Sequence, residues 1–314
     1  MLAVVCPGQG AQSPGMLSPW LEISGTAELL SSWSERAGVD LLAHGTTSDA
    51  ETIRDTAIAQ PLLTATALAT ASLLLEGSAP QPDVLAGHSV GEFPAAALAG
   101  VLSADEAVSL VSVRGAAMAR AAAATPTGMS AVLGGDPEEV RSRLAELALT
   151  PANVNGGGQV VAAGSLEALA ALAENPPTRA RVVPLQVAGA FHTSFMAPAV
   201  DELAQAAAAV SPAVPTATLL SNADGAPVAS GREALDRLVK QVANPVRWDL
   251  CCEQLLALGV TGLVELAPGG VLTGLARRTL PGVQTVALKS PEDLDAARTL
   301  IHEHAGRPAG QEDQ

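Results

Sequence analysis

Gly87-His88-Ser89-Val90-Gly91 is a G-x-S-x-G sequence set between a short apolar run, Val84–Gly87, and a segment that reads as a helix to about residue 100. In that setting the glycines permit a tight, strained turn that lifts a serine hydroxyl above the end of a strand. The amide after the serine then opens a helix, where a developing oxyanion is stabilised. A serine becomes a nucleophile only with a base beside it. Of the five histidines, His302 and His304 lie at the C-terminal end and His44 in a polar loop, while His88 belongs to the turn itself. His192, in Gly189-Ala190-Phe191-His192, follows a strand and a glycine, the usual address of an α/β active site. By position alone it is either that base or an ordinary core histidine. Gly156-Gly157-Gly158 after Asn155 lacks the G-x-x-x-x-G-K-[ST] pattern of a phosphate cradle.

These residues need a scaffold, and the sequence supplies two rhythms. Met1–Cys6 and Val84–Gly87 read as short buried strands, and Ser103-Ala104-Asp105-Glu106 as a capping box opening a helix to about residue 124. Residues 127–191 then read β-α-β-β-α-β, a compact ferredoxin-like unit inserted into the larger pattern. A helix over about 194–209, strands at 217–220, 262–266 and 284–288, and intervening helices complete the larger part. The expectation is a hydrolase-like α/β core, residues 1–126 with 192–304, carrying an inserted ferredoxin-like subdomain at 127–191. Residues 305–314 read as a polar tail.

Composition excludes several classes. The chain has 314 residues, 48% hydrophobic and 2% aromatic, with a formal charge of -15. Seventeen cations against 32 acids, with no basic run, leave no broad means of neutralising phosphates, so nucleic acid is not an expected partner. Lys240 and Lys289 are the only lysines, which makes an arginine the expected anion ligand. Cys6, Cys251 and Cys252 form no zinc spacing, and a reduced cytoplasmic setting is the economical reading. The apolar stretch 57–75 contains Gln60 and Pro61 and reads as a buried core helix rather than a membrane span. No metal spacing occurs among the acids.

The order of the residues argues against a hydrolase. In α/β-hydrolases the serine is followed by an acid and then by a histidine near the end. Here about 120 residues follow His192, and Pro7-Gly8-Gln9-Gly10-Ala11-Gln12 follows the first strand in place of a His-Gly-Gly-Gly loop. That loop, the block from Gly87 to Glu92, Arg114-Gly115, Asn153-Val154-Asn155-Gly156, Gly189–His192, Asn244-Pro245-Val246-Arg247-Trp248 and Pro268–Leu275 stand in one register. Together they resemble the malonyl-CoA:acyl-carrier-protein transacylases, especially the stand-alone actinobacterial enzymes, from about residue 4 to residue 288.

The resemblance implies a double displacement. Ser89 takes the malonyl group from malonyl-CoA with His192 as base, and the phosphopantetheine thiol of an acyl carrier protein then removes it. It further implies an oxyanion hole from the amides of Gln9 and Val90, and a main-chain carbonyl, that of Arg247, orienting His192. Arg114 would clamp the free malonyl carboxylate through two parallel hydrogen bonds; the alternative is a helix arginine paired with Glu92 or Asp105. Phe191 would fill the space of an α-methyl group, with Met118, Asn155 and His88 as supporting substrate contacts. No bound cofactor or metal is implied, and a monomer is expected. A serine hydrolase or thioesterase and an inactive carrier-binding scaffold are the rivals.

Overall fold

The computed structural model describes residues 1–77 and 80–306, so residues 307–314 of the expected tail lie outside the described residues. Among the described residues ten strands form two sheets of five. They are β1 (Leu2–Cys6), β2 (Val84–Gly87), β3 (Thr127–Gly134), β4 (Thr150–Gly156), β5 (Gln159–Ser165), β6 (Ala180–Pro184), β7 (Thr218–Leu219), β8 (Val246–Arg247), β9 (Gly262–Glu265) and β10 (Gln284–Ala287).

The first sheet is parallel, in the order β10-β9-β1-β2-β7. Every residue of β1 and β2 is buried, as expected where helices cover both faces of a parallel sheet and the strands read as unbroken apolar runs. The register aligns Cys6 with Gly87. Both strands therefore end side by side, and the loop carrying Gln9 leaves the sheet beside the turn carrying Ser89.

Two long helices pack against one another below this edge. Thr56–Leu74 is apolar all round and almost wholly buried, with Asp55 accepting from the amide of Ala57 at its start. Ala104–Ala124 opens on the capping box read from the sequence, Ser103 with Glu106. Both are long and apolar enough to span a membrane by composition, and both are core helices here, with 78% and 56% of their apolar windows inside the fold. Gly115 allows the close approach, since a Cβ there would stand 2.8 Å from the carbonyl oxygen of Thr56.

The second sheet has the order β6-β3-β5-β4-β8, and residues 127–184 run β-α-β-β-α-β through it, antiparallel from β6 to β4. Val132, Val140, Leu144, Leu149, Leu169 and Leu172 form a small core of their own beneath its two helices. The edge strand β8 falls within the Asn244–Trp248 block and was not among the strands read from the sequence. It pairs parallel with β4, Asn153 opposite Val246, so a segment beyond the insertion completes the sheet. Two residues carry no periodicity to announce a strand.

Candidate active site

Ser89 stands just past the end of β2 with φ 54°, and His192 has φ 62°. Left-handed backbone costs a non-glycine residue about 1–3 kcal/mol, strain that surrounding packing must hold. The flanking glycines make the turn possible. A Cβ at Gly87 would lie 1.9 Å from the Gly91 oxygen, and one at Gly91 would lie 2.2 Å from the Cys6 oxygen. Asn222 braces the turn from β7's side: its Oδ1 accepts from the Ser89 amide at 2.8 Å, and its Nδ2 donates to the Gly87 oxygen at 2.8 Å.

The serine hydroxyl lies 2.8 Å from His192 Nε2. The other ring nitrogen, Nδ1, donates to the main-chain oxygen of Gln241 at 2.8 Å, which sets the tautomer that leaves Nε2 free to accept. Burial, and then the charge of Arg114, push the His192 pKa down to about 3, so the imidazole is neutral and available as a base.

Arg114 is fully buried, although most arginines reach water. Its Nη1 donates to Gln60 Oε1 at 2.7 Å, and its Nη2 donates to Gln241 Oε1 at 2.8 Å and to Ser89 Oγ at 3.3 Å. The guanidinium also lies over the ring of Phe93, 5.8 Å from its centroid. Its Nε is buried without a hydrogen-bond partner. Among the described residues it makes no ion pair, neither with Glu92 nor with Asp105. Burial lowers its pKa to about 10, still ionised at neutral pH, with the Glu92 charge pulling the other way.

The remaining candidates are placed as follows. Gly8 packs against His88, where a Cβ would stand 2.8 Å from the His88 oxygen, and this holds the Gln9 loop beside the elbow. The Gln9 side chain bonds outward, to Arg54 O at 3.4 Å and Thr56 Oγ1 at 3.3 Å. Val90 is buried in the single turn that follows Ser89. His88 Nε2 meets Asn155 Oδ1 at 2.9 Å, a bond that joins the two sheets directly below the nucleophile's turn. Met118 is buried and its sulfur lies 3.5 Å from Gln60 Nε2. Phe191, buried, immediately precedes His192.

One assignment is corrected. The carbonyl on His192 Nδ1 belongs to Gln241, not to Arg247. Arg247 sits in β8, donating its amide to Asn222 O at 2.8 Å and its guanidinium to Asp249 at 2.9 and 2.7 Å. The reason is the helix Gly231–Gln241: the last carbonyls of a helix have no partner within it and are free to accept from outside. Sequence reasoning also missed Gln60, Asn222 and Gln241 as neighbours of the reacting groups. Gln60, a lone amide in an apolar helix, was the one visible signal.

A groove of about 690 Å³ lies between the helix Pro137–Glu146 and the second sheet, lined by Val132, Val140, Leu144, Val160 and Arg247, and neither Ser89 nor His192 touches it.

An elbow serine hydrogen-bonded to a neutral histidine, with a buried guanidinium beside the hydroxyl, is an arrangement suited to acyl chemistry at serine. The acyl transferase domain model matches residues 3–297. The malonyl CoA-acyl carrier protein transacylase of Mycobacterium tuberculosis is 56% identical over 302 residues, 96% of this chain and 100% of that protein. The crystal structure of MCAT from the same organism superposes with a TM-score of 0.91 at 55% identity, covering 95% of this chain and 99% of that one. A type II PKS acyl-carrier protein complex with its malonyl-transacylase matches with a TM-score of 0.88 at 32% identity, over 95% and 99% of the two chains. The chain belongs to the acyl transferase family and, within it, to the malonyl CoA-acyl carrier protein transacylases.

Proposed function

We propose that this enzyme moves a malonyl group from malonyl-CoA to the phosphopantetheine thiol of an acyl carrier protein, with Ser89 as the relay. His192 Nε2 takes the hydroxyl proton as Ser89 Oγ bonds the thioester carbon. The C–S bond then breaks, and the CoA thiolate leaves with that proton, leaving a malonyl-serine ester. In the second half the carrier thiol gives its proton to His192, its sulfur bonds the ester carbon, the Oγ–C bond breaks, and His192 returns the proton to Ser89 Oγ. The amides of Gln9 and Val90 receive the oxyanion, a role supported by the side-by-side ends of β1 and β2.

The observation that carries this reading is the buried guanidinium 3.3 Å from the nucleophile, with one donor unpartnered. A neutral acyl chain has no use for such a group, whereas a malonyl carboxylate supplies the missing charge and acceptors. Phe191 and Met118 bound the acyl pocket, and the His88–Asn155 bond orients the second sheet against it. The reading includes a cytoplasmic monomer built as 1–126 with 192–304 and an inserted unit at 127–191.

Intact-protein mass spectrometry after mixing with malonyl-CoA tests it. A malonyl adduct on Ser89, discharged by holo carrier protein, is expected. Steady release of free CoA without adduct would make the enzyme a hydrolase, and no reaction would leave a carrier-binding scaffold.

A further inference from the structure

Among the described residues, Glu92 is the one carboxylate buried in the heart of this site, 5% exposed, at the first position of the helix Glu92–Leu98. It touches neither Ser89, His192 nor Arg114 through a hydrogen bond. It accepts instead from the backbone amide of Asn222 at 2.7 Å and, through its other oxygen, from the side-chain Nε2 of Gln241. Gln241 is the residue on which the site converges. Its main-chain oxygen holds His192 Nδ1, its Oε1 holds Arg114 Nη2, and its Nε2 also reaches Ser89 O at 3.1 Å.

An amide side chain has two nearly isosteric ends, one donor and one acceptor, and only its neighbours decide which way it faces. A carboxylate can only accept, so it fixes the NH₂ end of Gln241 toward itself and turns Oε1 toward the guanidinium. Ser89 O at 3.1 Å and Asn222 Oδ1 at 3.3 Å also accept from that NH₂ end, and Glu92 is the charged acceptor of the three, so it contributes most to the orientation. We infer that Glu92 is a positioning residue for acyl-group selectivity, holding Gln241 in the one orientation that anchors Arg114 for a carboxylate-bearing acyl group. This rests on the malonyl-transfer reading above.

Burial raises the Glu92 pKa to about 7, opposed by the Asn222 and Gln241 hydrogen bonds and by the charges of Arg114 and Arg237. The carboxylate therefore stays deprotonated above neutrality because these donors and cations face it.

Glu92→Gln tests the inference, since it keeps the volume but leaves one acceptor for the two donors, the Asn222 amide and Gln241 Nε2, that the carboxylate serves. The protein is mixed with malonyl-CoA and excess acetyl-CoA at pH 8, and the ratio of malonyl to acetyl adducts on Ser89 is read by intact mass. Only protein that has reacted is counted, so partial unfolding does not enter the ratio. The ratio is expected to fall about tenfold or more in Glu92→Gln, the effect of one charge-assisted hydrogen bond, and to stay within about threefold of wild type in Glu92→Asp, which keeps the acceptor. Gln241→Leu, which retains the main-chain carbonyl on His192, is expected to lower the ratio as Glu92→Gln does, and it decides the matter should Glu92→Gln yield no folded protein. An unchanged ratio in Glu92→Gln or Gln241→Leu, or an equal fall in Glu92→Asp, overturns the inference. Failure of the wild-type enzyme to form the malonyl adduct would overturn the malonyl reading instead.

Discussion

His192 rests its Nδ1 on the main-chain oxygen of Gln241, 2.8 Å away. This oxygen ends a helix, so it brings the negative pole of the helix to the ring as well as a lone pair. A triad carboxylate would do the same with a full charge, at the cost of burying it. A carboxylate in that place would also compete for the Arg114 guanidinium, whose charge already disfavours a second proton on the ring.

The first prediction follows from that arrangement. The His192 pKa lies at about 3, below the ordinary 6.5, so between those values the folded ring stays neutral while the unfolded ring binds a proton. Its contribution to stability is therefore present above about pH 6.5 and lost as pH falls toward 3. Proton NMR should show one histidine ring, absent in His192→Ala, that does not titrate between pH 8 and 5. A midpoint near 6.5 for that resonance would contradict the burial argument.

Arg114→Ala should lower malonyl kcat/KM by about 10²–10⁴, the value of two hydrogen bonds to a charged group at about 1.5–3 kcal/mol each. Acetyl transfer, which has no carboxylate to hold, should fall far less. Arg114→Lys should restore little, because a single ammonium cannot satisfy Gln60, Gln241 and a carboxylate from one plane. Equal losses with malonyl-CoA and acetyl-CoA would remove the clamp.

What the sequence disclosed follows the range of its signals. The elbow was legible because its signature is local: Gly87 is required by contacts within the same turn, while the packing of Gly91 on Cys6 of β1 is tertiary and was not legible. The capping box at Ser103 was legible for the same reason. Arg114 stood out by type, but its partners Gln60 and Gln241 are 54 and 127 residues away, and no spacing announces such contacts. The misassigned carbonyl has the same origin. The Asn244–Trp248 block matched in register, yet which carbonyl meets the imidazole depends on where the preceding helix stops, and Asn244 and Gln241 already close one turn there. Strand β8 was missed because its pairing with β4 is purely tertiary.

Phe191→Ser should loosen the choice of acyl unit. Phe191 is buried next to His192 in the chain, and opening its volume makes room for an α-methyl group. One methyl in an apolar pocket is worth about 1–3 kcal/mol, so the malonyl-to-methylmalonyl ratio of kcat/KM should fall roughly 10- to 200-fold. An unchanged ratio would make Phe191 a packing residue only.

The last prediction concerns the carrier, because a chain of net charge -15 repels an acidic partner at long range. Docking then needs a local cationic surface. Arg179, Arg181, Arg277 and Arg278 are all exposed, and among the described residues none makes an ion pair. Two of them are linked across the sheet: Arg181 lies opposite Leu133, Leu133 lies opposite Gln159, and Gln159 Oε1 accepts from Arg278 Nη2 at 3.3 Å. The patch thus spans the outer end of the second sheet and the helix Val271–Thr279. Replacing Arg277 and Arg278 by Glu should raise the KM for the carrier about tenfold at low salt while leaving transfer to a free pantetheine thiol unchanged. Salt should erase much of that difference, since charges separated by more than about 10 Å are screened at 0.1 M. A carrier KM that ignores both the reversal and the salt would place docking elsewhere on the molecule.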